Sequence, residues 1–117
     1  MISNMKESTQ ALTSKYYSRL GSRIGYYLVM RRSQHFGYYD SLHNNERTAQ
    51  QRFNEQFISL LDLKPGMSLL DAGSGQGIQA IYIVKHANVN VMGVTITPHE
   101  VWVSRKLAQK QGAEGQA

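Results

Sequence analysis

From Asn45 to Leu61 the apolar residues Ala49, Phe53, Phe57, Leu60 and Leu61 recur at helical spacing, with Arg47, Gln51, Arg52 and Glu55 on the opposite side. Apolar residues three and four apart line one face of a 3.6-residue helix, so this stretch predicts a single amphipathic helix. Lys64-Pro65-Gly66 ends it, because proline disfavours a helical conformation in the residue before it and glycine permits a sharp turn. Met67 to Ala72 is a short apolar run that includes Asp71 and predicts a strand, punctuated by Gly73-Ser74-Gly75-Gln76-Gly77. Ile78, Ile81, Tyr82 and Lys85 then recur at intervals of three and four, placing a helix over Gln76 to His86. Val89 to Ile96 is β-branched and apolar enough for a second buried strand.

A marked helix start follows. Thr97 is placed as N-cap, Pro98 as the first helical residue and Glu100 as the third, the pattern of a capping box, with Ile96 and Val101 spaced as a hydrophobic staple. Val101, Arg105 and Ala108 continue one face of a helix that ends near Gly112, and the last six residues carry no strand signal. The predicted order is a helical N-terminal region followed by β-α-β-α. Strands alternating with helices indicate a parallel α/β architecture. There is no internal repeat and no low-complexity segment.

Charge divides the chain differently. Of 117 residues, Lys6, Lys15, Arg19, Arg23, Arg31 and Arg32 face Glu7 alone up to Tyr39, which accounts for the whole net charge of +5. The same segment holds six of the seven tyrosines, paired as Tyr16-Tyr17, Tyr26-Tyr27 and Tyr38-Tyr39. Cations interleaved with aromatics can follow a nucleic-acid backbone while bases stack. Six cations over this length fall short of a dense basic run, and no RNP, zinc-finger or basic-zipper pattern accompanies them, so a nucleic-acid module is disfavoured against a solvated basic face.

The length fits one domain at most, and 41% hydrophobic with 18% charged residues is the composition of a globular chain. Having no cysteine, it has no disulfide framework, thiolate zinc site or cysteine nucleophile. The first ten residues lack an apolar signal-peptide core and no uninterrupted apolar run is long enough for a membrane span, which makes the cytoplasm the expected location.

Leu69-Leu70-Asp71-Ala72-Gly73-Ser74-Gly75-Gln76-Gly77 carries the chemistry. Glycines between a strand and a helix let the backbone take positive φ and let a ligand approach the main chain beside unpaired helix N–H groups. A dinucleotide fold wants G-x-G-x-x-G, and Ile78 occupies the place of its third glycine; a Walker loop wants G-K-[ST], and no lysine follows. Asp71, two positions before the first glycine, is badly placed against a pyrophosphate and suits a ligand carrying positive charge.

On these residues the chain resembles the class I S-adenosylmethionine-dependent methyltransferases, whose first motif is an aliphatic strand followed by acid-x-Gly-x-Gly-x-Gly. The resemblance implies a Rossmann-like α/β fold and S-adenosylmethionine as cofactor, with its ammonium near Asp71 and its methionine part against Gly73, Gly75 and Gly77. Most members end the second strand with an acid for the ribose hydroxyls; this chain has Thr95 there. Val91-Met92-Gly93-Val94-Thr95-Ile96-Thr97 is closer to the cyclopropane fatty acid synthases and the sterol and natural-product methyltransferases, which carry a polar residue a few positions on. Glu100 stands there, and both a ribose contact and a purely capping role are open to it. The cofactor-contacting set implied is Asp71, Gly73, Ser74, Gly75, Gln76, Gly77, Thr95, Ile96, Thr97, Glu100 and Tyr38.

Gln34-His35-Phe36-Gly37-Tyr38-Tyr39-Asp40 is similar to the His-x-Gly-aromatic segment that precedes the core domain in many small-molecule members. There tyrosines help close the pocket, and a sulfonium is drawn to an aromatic face by ~0.5–2 kcal/mol. The implied division is a helical lid over residues 1–44 and the first part of the cofactor domain over 45–117. Of the four histidines, His35 is the candidate nearest the substrate by its neighbours, and no catalytic base is assigned. A strand with its helix takes ~25–30 residues, so only two such units fit, where an open doubly wound sheet has five or more strands. The expected activity is methyl transfer to a small molecule, with this chain as the cofactor-binding first half. The alternative is a short protein that binds cofactor or pairs with another subunit, in an oligomer or with a missing C-terminal half, without chemistry of its own.

Overall fold

A computed structural model describes residues 2–28 and 37–117. The elements are α1 (Ile2–Ser18), α2 (Leu20–Leu28), α3 (Glu46–Leu60), β1 (Ser68–Ala72), α4 (Ile78–Ala87), β2 (Asn90–Val94) and α5 (Pro98–Gln111). β1 and β2 form a parallel two-stranded sheet in the register Leu69 to Val91 and Asp71 to Gly93. The result is the expected α/β class, a β-α-β-α order with a parallel two-stranded sheet as at the start of a Rossmann-like fold.

Each junction has a local cause. Asn45 caps α3, its side-chain oxygen accepting from the Thr48 amide at 3.1 Å. At the Lys64-Pro65-Gly66 turn, Gly66 has φ +85° and its N–H donates to Asn88 O at 2.9 Å, tying the entry of β1 to the end of α4. Asn88 itself closes α4 in the left-handed region, after Lys85 in the last turn, where a cation complements the helix dipole. Gly112 ends α5 in the same way, and the Ala113 amide turns back onto Ala108 O at 2.9 Å. The tail then returns to the sheet, Gln116 O accepting from Val91 N at 2.6 Å.

The core lies on one side of the sheet. Ile81, Ile83 and Val84 of α4, Ala108 of α5 and Val89, Val91 and Ala113 are buried together, with Phe57, Leu63 and Leu69 packed against them. Successive strand residues point to opposite faces. The second strand is therefore buried on one face only, contrary to the pattern-based expectation: Val91 faces the helices, while Leu70 (64% exposed) and Met92 (71%) stand on the bare face with Val94. The helix α3 also differs from its pattern. Ala49 is fully buried and Phe57 reaches the core, but Leu60 and Leu61 at its end are exposed and Asn54 is buried instead.

The N-terminal region is helical as read. Among the described residues, His35 and the cations Arg31 and Arg32 are absent, so expectations placed on them lie outside the described part, as do the side chains of Tyr26 and Tyr27. Gly37 explains one motif position: a Cβ there would lie 2.6 Å from the Gln50 amide nitrogen, so only glycine lets this segment lie against α3. The Tyr38 amide donates to Ala49 O at 2.8 Å in the same contact.

Candidate functional site: the glycine loop and the exit of the second strand

The loop after β1 is held by the strand beside it. Val94 O accepts from both Gly73 N at 2.7 Å and Ser74 N at 3.0 Å, and Gly77 N donates to Ser74 O at 2.9 Å. Gly73, Gly75 and Gly77 have φ of +86°, +53° and +75°, the left-handed region that costs other L-residues ~1–2 kcal/mol. Their surroundings differ. A Cβ on Gly73 would meet nothing within 4 Å, whereas one on Gly77 would lie 2.8 Å from Ser104 Cβ of α5. The first glycine faces open space and the third allows two helices to close up.

Gly93 has a similar structural reason. It sits opposite Asp71 in the register, and a Cβ there would lie 2.7 Å from Ser74 Oγ. This contact was legible only as a glycine within the second strand, and Ser104 carried no signal at all. Asp71 is half-buried at the end of β1, on the helix-covered side.

At the exit of β2, Thr95 Oγ1 donates to Glu100 Oε2 at 2.6 Å, and Glu100 is buried at 5% exposure. Thr97 is the N-cap and Pro98 the first residue of α5 as expected, but the capping box does not form. The Thr97 hydroxyl makes no cap hydrogen bond; it is buried and has no partner among the described residues. The Glu100 carboxylate accepts from Thr95, a residue outside the box pattern. Ile96 remains exposed.

The structure thus brings Asp71, Gly73, Ser74, Gly75 and Gly77 together with the stretch from Thr95 to Glu100 at one end of the sheet. Gln76 turns toward α5, where it lines a groove with Trp102 and Lys106. Tyr38 is exposed and is placed by its bond to α3. Its neighbour Tyr39 donates its hydroxyl to the Glu46 carboxylate, a bond that, with the carboxylate's charge, holds the phenol pKa above its ordinary value. The nearby Asp40 carboxyl is held below its ordinary value, first by the side-chain bond to His43 Nδ1 at 2.7 Å, then by the Leu42 and His43 amides. Among the described residues no cluster of histidines and carboxylates is arranged to hold a metal ion, and no helix is long and apolar enough to cross a membrane.

Against known families, residues 25–117 match the mycolic acid cyclopropane synthetase model. The chain belongs to that family. The family is S-adenosylmethionine-dependent, in agreement with the resemblance read from the glycine loop. The chain is 38% identical over 109 residues to the S-adenosyl-L-methionine-dependent Diels-Alderase iccD of Talaromyces variabilis, covering 90% of this chain and 37% of that protein. Among solved structures it is similar to mycolic acid cyclopropane synthase CmaA1 complexed with SAH and CTAB, with 27% identity and a TM-score of 0.62 over 67% of this chain and 27% of that one. It also shares its fold with coclaurine N-methyltransferase, at 17% identity and a TM-score of 0.73 over 86% of this chain and 30% of the other. The chain spans 37% to 41% of the length of three curated relatives that it matches.

Proposed function

We propose that this chain is the cofactor-binding first part of an S-adenosylmethionine-dependent enzyme that methylates a small molecule, residues 1–44 serving as its lid and residues 45–117 as the start of its Rossmann-like domain. One observation carries the reading: an acid ends β1, three left-handed glycines follow it docked on the end of β2, and a buried hydroxyl without a partner among the described residues lies two positions after Thr95. An orphaned buried hydroxyl costs ~1–3 kcal/mol unless a ligand satisfies it. The residues therefore fit the cofactor.

In this reading Asp71 takes the ammonium of the cofactor, and the backbone of Gly73, Ser74, Gly75 and Gln76 lies against its methionine part, with Gly77 keeping α4 and α5 closed behind them. Thr95 orients the Glu100 carboxylate for the ribose hydroxyls, Thr97 and Ile96 complete that wall, and Tyr38 closes the pocket from the lid side. When bound, the cofactor supplies a methyl group on a sulfonium that leaves as a neutral thioether. The chain's own contribution is to hold it in one orientation away from water; such positioning supplies ~7–11 kcal/mol of a displacement barrier.

The described histidines are engaged elsewhere: His43 with Asp40, His86 with Tyr82 O at 2.7 Å, and His99 stacked on Trp102. The acceptor pocket and any base belong in this reading to the further length that the relatives have, which also covers the bare sheet face of Leu70, Met92 and Val94. One similarity favours a second reading, because the relative at 38% identity is a Diels-Alderase. The same cofactor half then serves a ring-forming reaction, and consumption of cofactor in step with product by the complete enzyme separates the two.

The test is calorimetric titration of the folded chain with S-adenosylhomocysteine. Saturable binding is expected, weakened at least about tenfold in Thr97→Val and in Gly73→Asn. Asparagine tolerates the left-handed conformation, so the second variant keeps its fold. Equal affinity in wild type and both variants, or no binding by a chain with native circular dichroism, overturns the assignment.

A further inference from the structure

Beside the glycine loop, whose Gln76 lines one wall, α2 and α5 face each other across a groove of about 680 Å³. Its walls are apolar. Leu20 and Ile24 come from α2, and Trp102, Val103 and Leu107 from α5. Leu20, Ile24 and Trp102 are 67%, 48% and 58% exposed, so this is apolar surface left in water although two helices flank it. Ligand pockets are of this size and this make-up, mostly hydrophobic and aromatic with a few polar groups that set orientation.

The charged groups here have one sign. Arg23, Lys106 and Lys110 line the groove, and among its described lining residues there is no carboxylate. Lys106 Nζ stands 5.4 Å from the centre of the Trp102 ring, and the His99 ring stacks on Trp102 with the ring centres 6.0 Å apart. A cation over an indole face is attracted to it and is held near the apolar wall instead of extending into solvent. The charge is thus fixed at the edge of the apolar surface. A neutral ligand would leave three cations unanswered, and a cationic one would be repelled.

We propose that the groove between α2 and α5 binds a single amphiphilic anion, an apolar chain or ring system ending in one carboxylate or phosphate. The apolar part lies along Leu20, Ile24, Trp102 and Leu107, and the anionic end is taken by Arg23 with Lys106 or Lys110. A groove of this volume between two helices has room for one molecule, which favours a free amphiphile over the surface of a lipid bilayer. The proposal does not depend on the cofactor reading, which uses the backbone of Gln76 and none of the other groove residues.

Trp102 is the single tryptophan of the chain, so its emission reports on the groove directly. The experiment titrates the intact chain, without cofactor, with dodecanoate below its micelle concentration and with dodecyltrimethylammonium, the same tail with the opposite charge. Dodecanoate is expected to give a saturable blue shift that weakens as salt is raised, and the cationic amphiphile none. Arg23→Glu with Lys106→Glu should weaken dodecanoate binding about tenfold, two partly exposed charge pairs being lost together. Arg23→Gln, a milder change, should weaken it about threefold with unchanged circular dichroism. Equal responses to the two amphiphiles would reduce the groove to a sticky surface and overturn the proposal. So would the absence of a saturable shift, or a shift seen only with phosphatidylglycerol vesicles.

Discussion

Gly77 joins the cofactor loop to the packing of two helices, and its replacement by alanine tests that link. At φ +75° an alanine carries ~1–2 kcal/mol of backbone strain. Its Cβ would also lie 2.8 Å from Ser104 Cβ, closer than such atoms approach, so α4 and α5 must separate; overpacking of this kind costs ~1–3 kcal/mol. Gly77→Ala should therefore destabilise by ~2–5 kcal/mol, a large part of the ~5–15 kcal/mol typical of a folded domain. The two contributions can be separated. Ser104→Gly costs ~1 kcal/mol as a glycine within a helix, but it removes the colliding atom. In the double variant only strain and helix propensity remain, ~2–3 kcal/mol, so the two changes should couple by ~1–3 kcal/mol. Urea denaturation of the four proteins, followed by circular dichroism, gives that cycle. Gly73→Ala serves as control: strained alike but opening onto empty space, it should cost ~1–2 kcal/mol and show no coupling to Ser104. Additivity within ~0.5 kcal/mol between Gly77→Ala and Ser104→Gly would refute the argument that this glycine is required by the close approach of α5.

Two threonines two residues apart should respond with opposite signs: Thr95→Val removes the 2.6 Å bond to a buried carboxylate and should cost ~1.5–3 kcal/mol, while Thr97→Val removes an unsatisfied hydroxyl and should leave stability unchanged or raised in the same urea assay. On β2, Val91→Ala should cost ~2–3 kcal/mol by loss of buried methyl groups, against a change within ~0.5 kcal/mol for Met92→Ser on the bare face, both read from thermal or urea midpoints. The Asp40 carboxyl titrates lower in the folded chain than its ordinary 3.8, so the stability it confers is present above that value and is lost as pH falls through the lower folded value. Asp40→Asn should accordingly lower the urea midpoint at about pH 6 and match wild type at about pH 2. A variant deficit that persists in acid would mean that charge is not what His43 and the two amides recognise.

Period and punctuation located every element from Asn45 onward to within a few residues, because each boundary carries a residue whose backbone preference is strong by itself. Pro65-Gly66, Gly77, Asn88, Pro98 and Gly112 are such residues: Gly66, Gly77, Asn88 and Gly112 take the left-handed conformation and Pro98 fixes φ at the start of α5. Burial was less legible. Val89 to Ile96 is apolar on both sides of the strand, and periodicity contains no information about whether a second layer lies against each face; the exposure of Met92 and Val94 reflects what packs there, not what the strand is made of. Leu60 and Leu61 fail for a related reason, since as the last residue and the C-cap of α3 they continue the apolar stripe onto exposed surface.

The departure at Thr97 is the informative one for function. Thr97, Pro98 and Glu100 satisfy the local pattern of a capping box, and in isolation the helix would close it, satisfying two backbone donors. The folded chain does otherwise. Thr95, contributed by the end of β2, offers Glu100 a hydroxyl donor that a local pattern cannot include, and the Glu100 amide donates to Thr97 O at 2.9 Å with no cap bond to the Thr97 hydroxyl. The consequence is a carboxylate oriented by the strand and a threonine hydroxyl left buried without a partner among the described residues, at the same end of the sheet as the three left-handed glycines. A helix start built only for stability would use that hydroxyl as its cap, since the cap is worth ~1 kcal/mol. Forgoing it is the kind of local inconsistency that folded proteins tolerate where a ligand completes the arrangement. The stability of Thr97→Val and its cofactor affinity therefore belong together: a variant that is no less stable and binds the cofactor as tightly as wild type would leave the orphaned hydroxyl without a function.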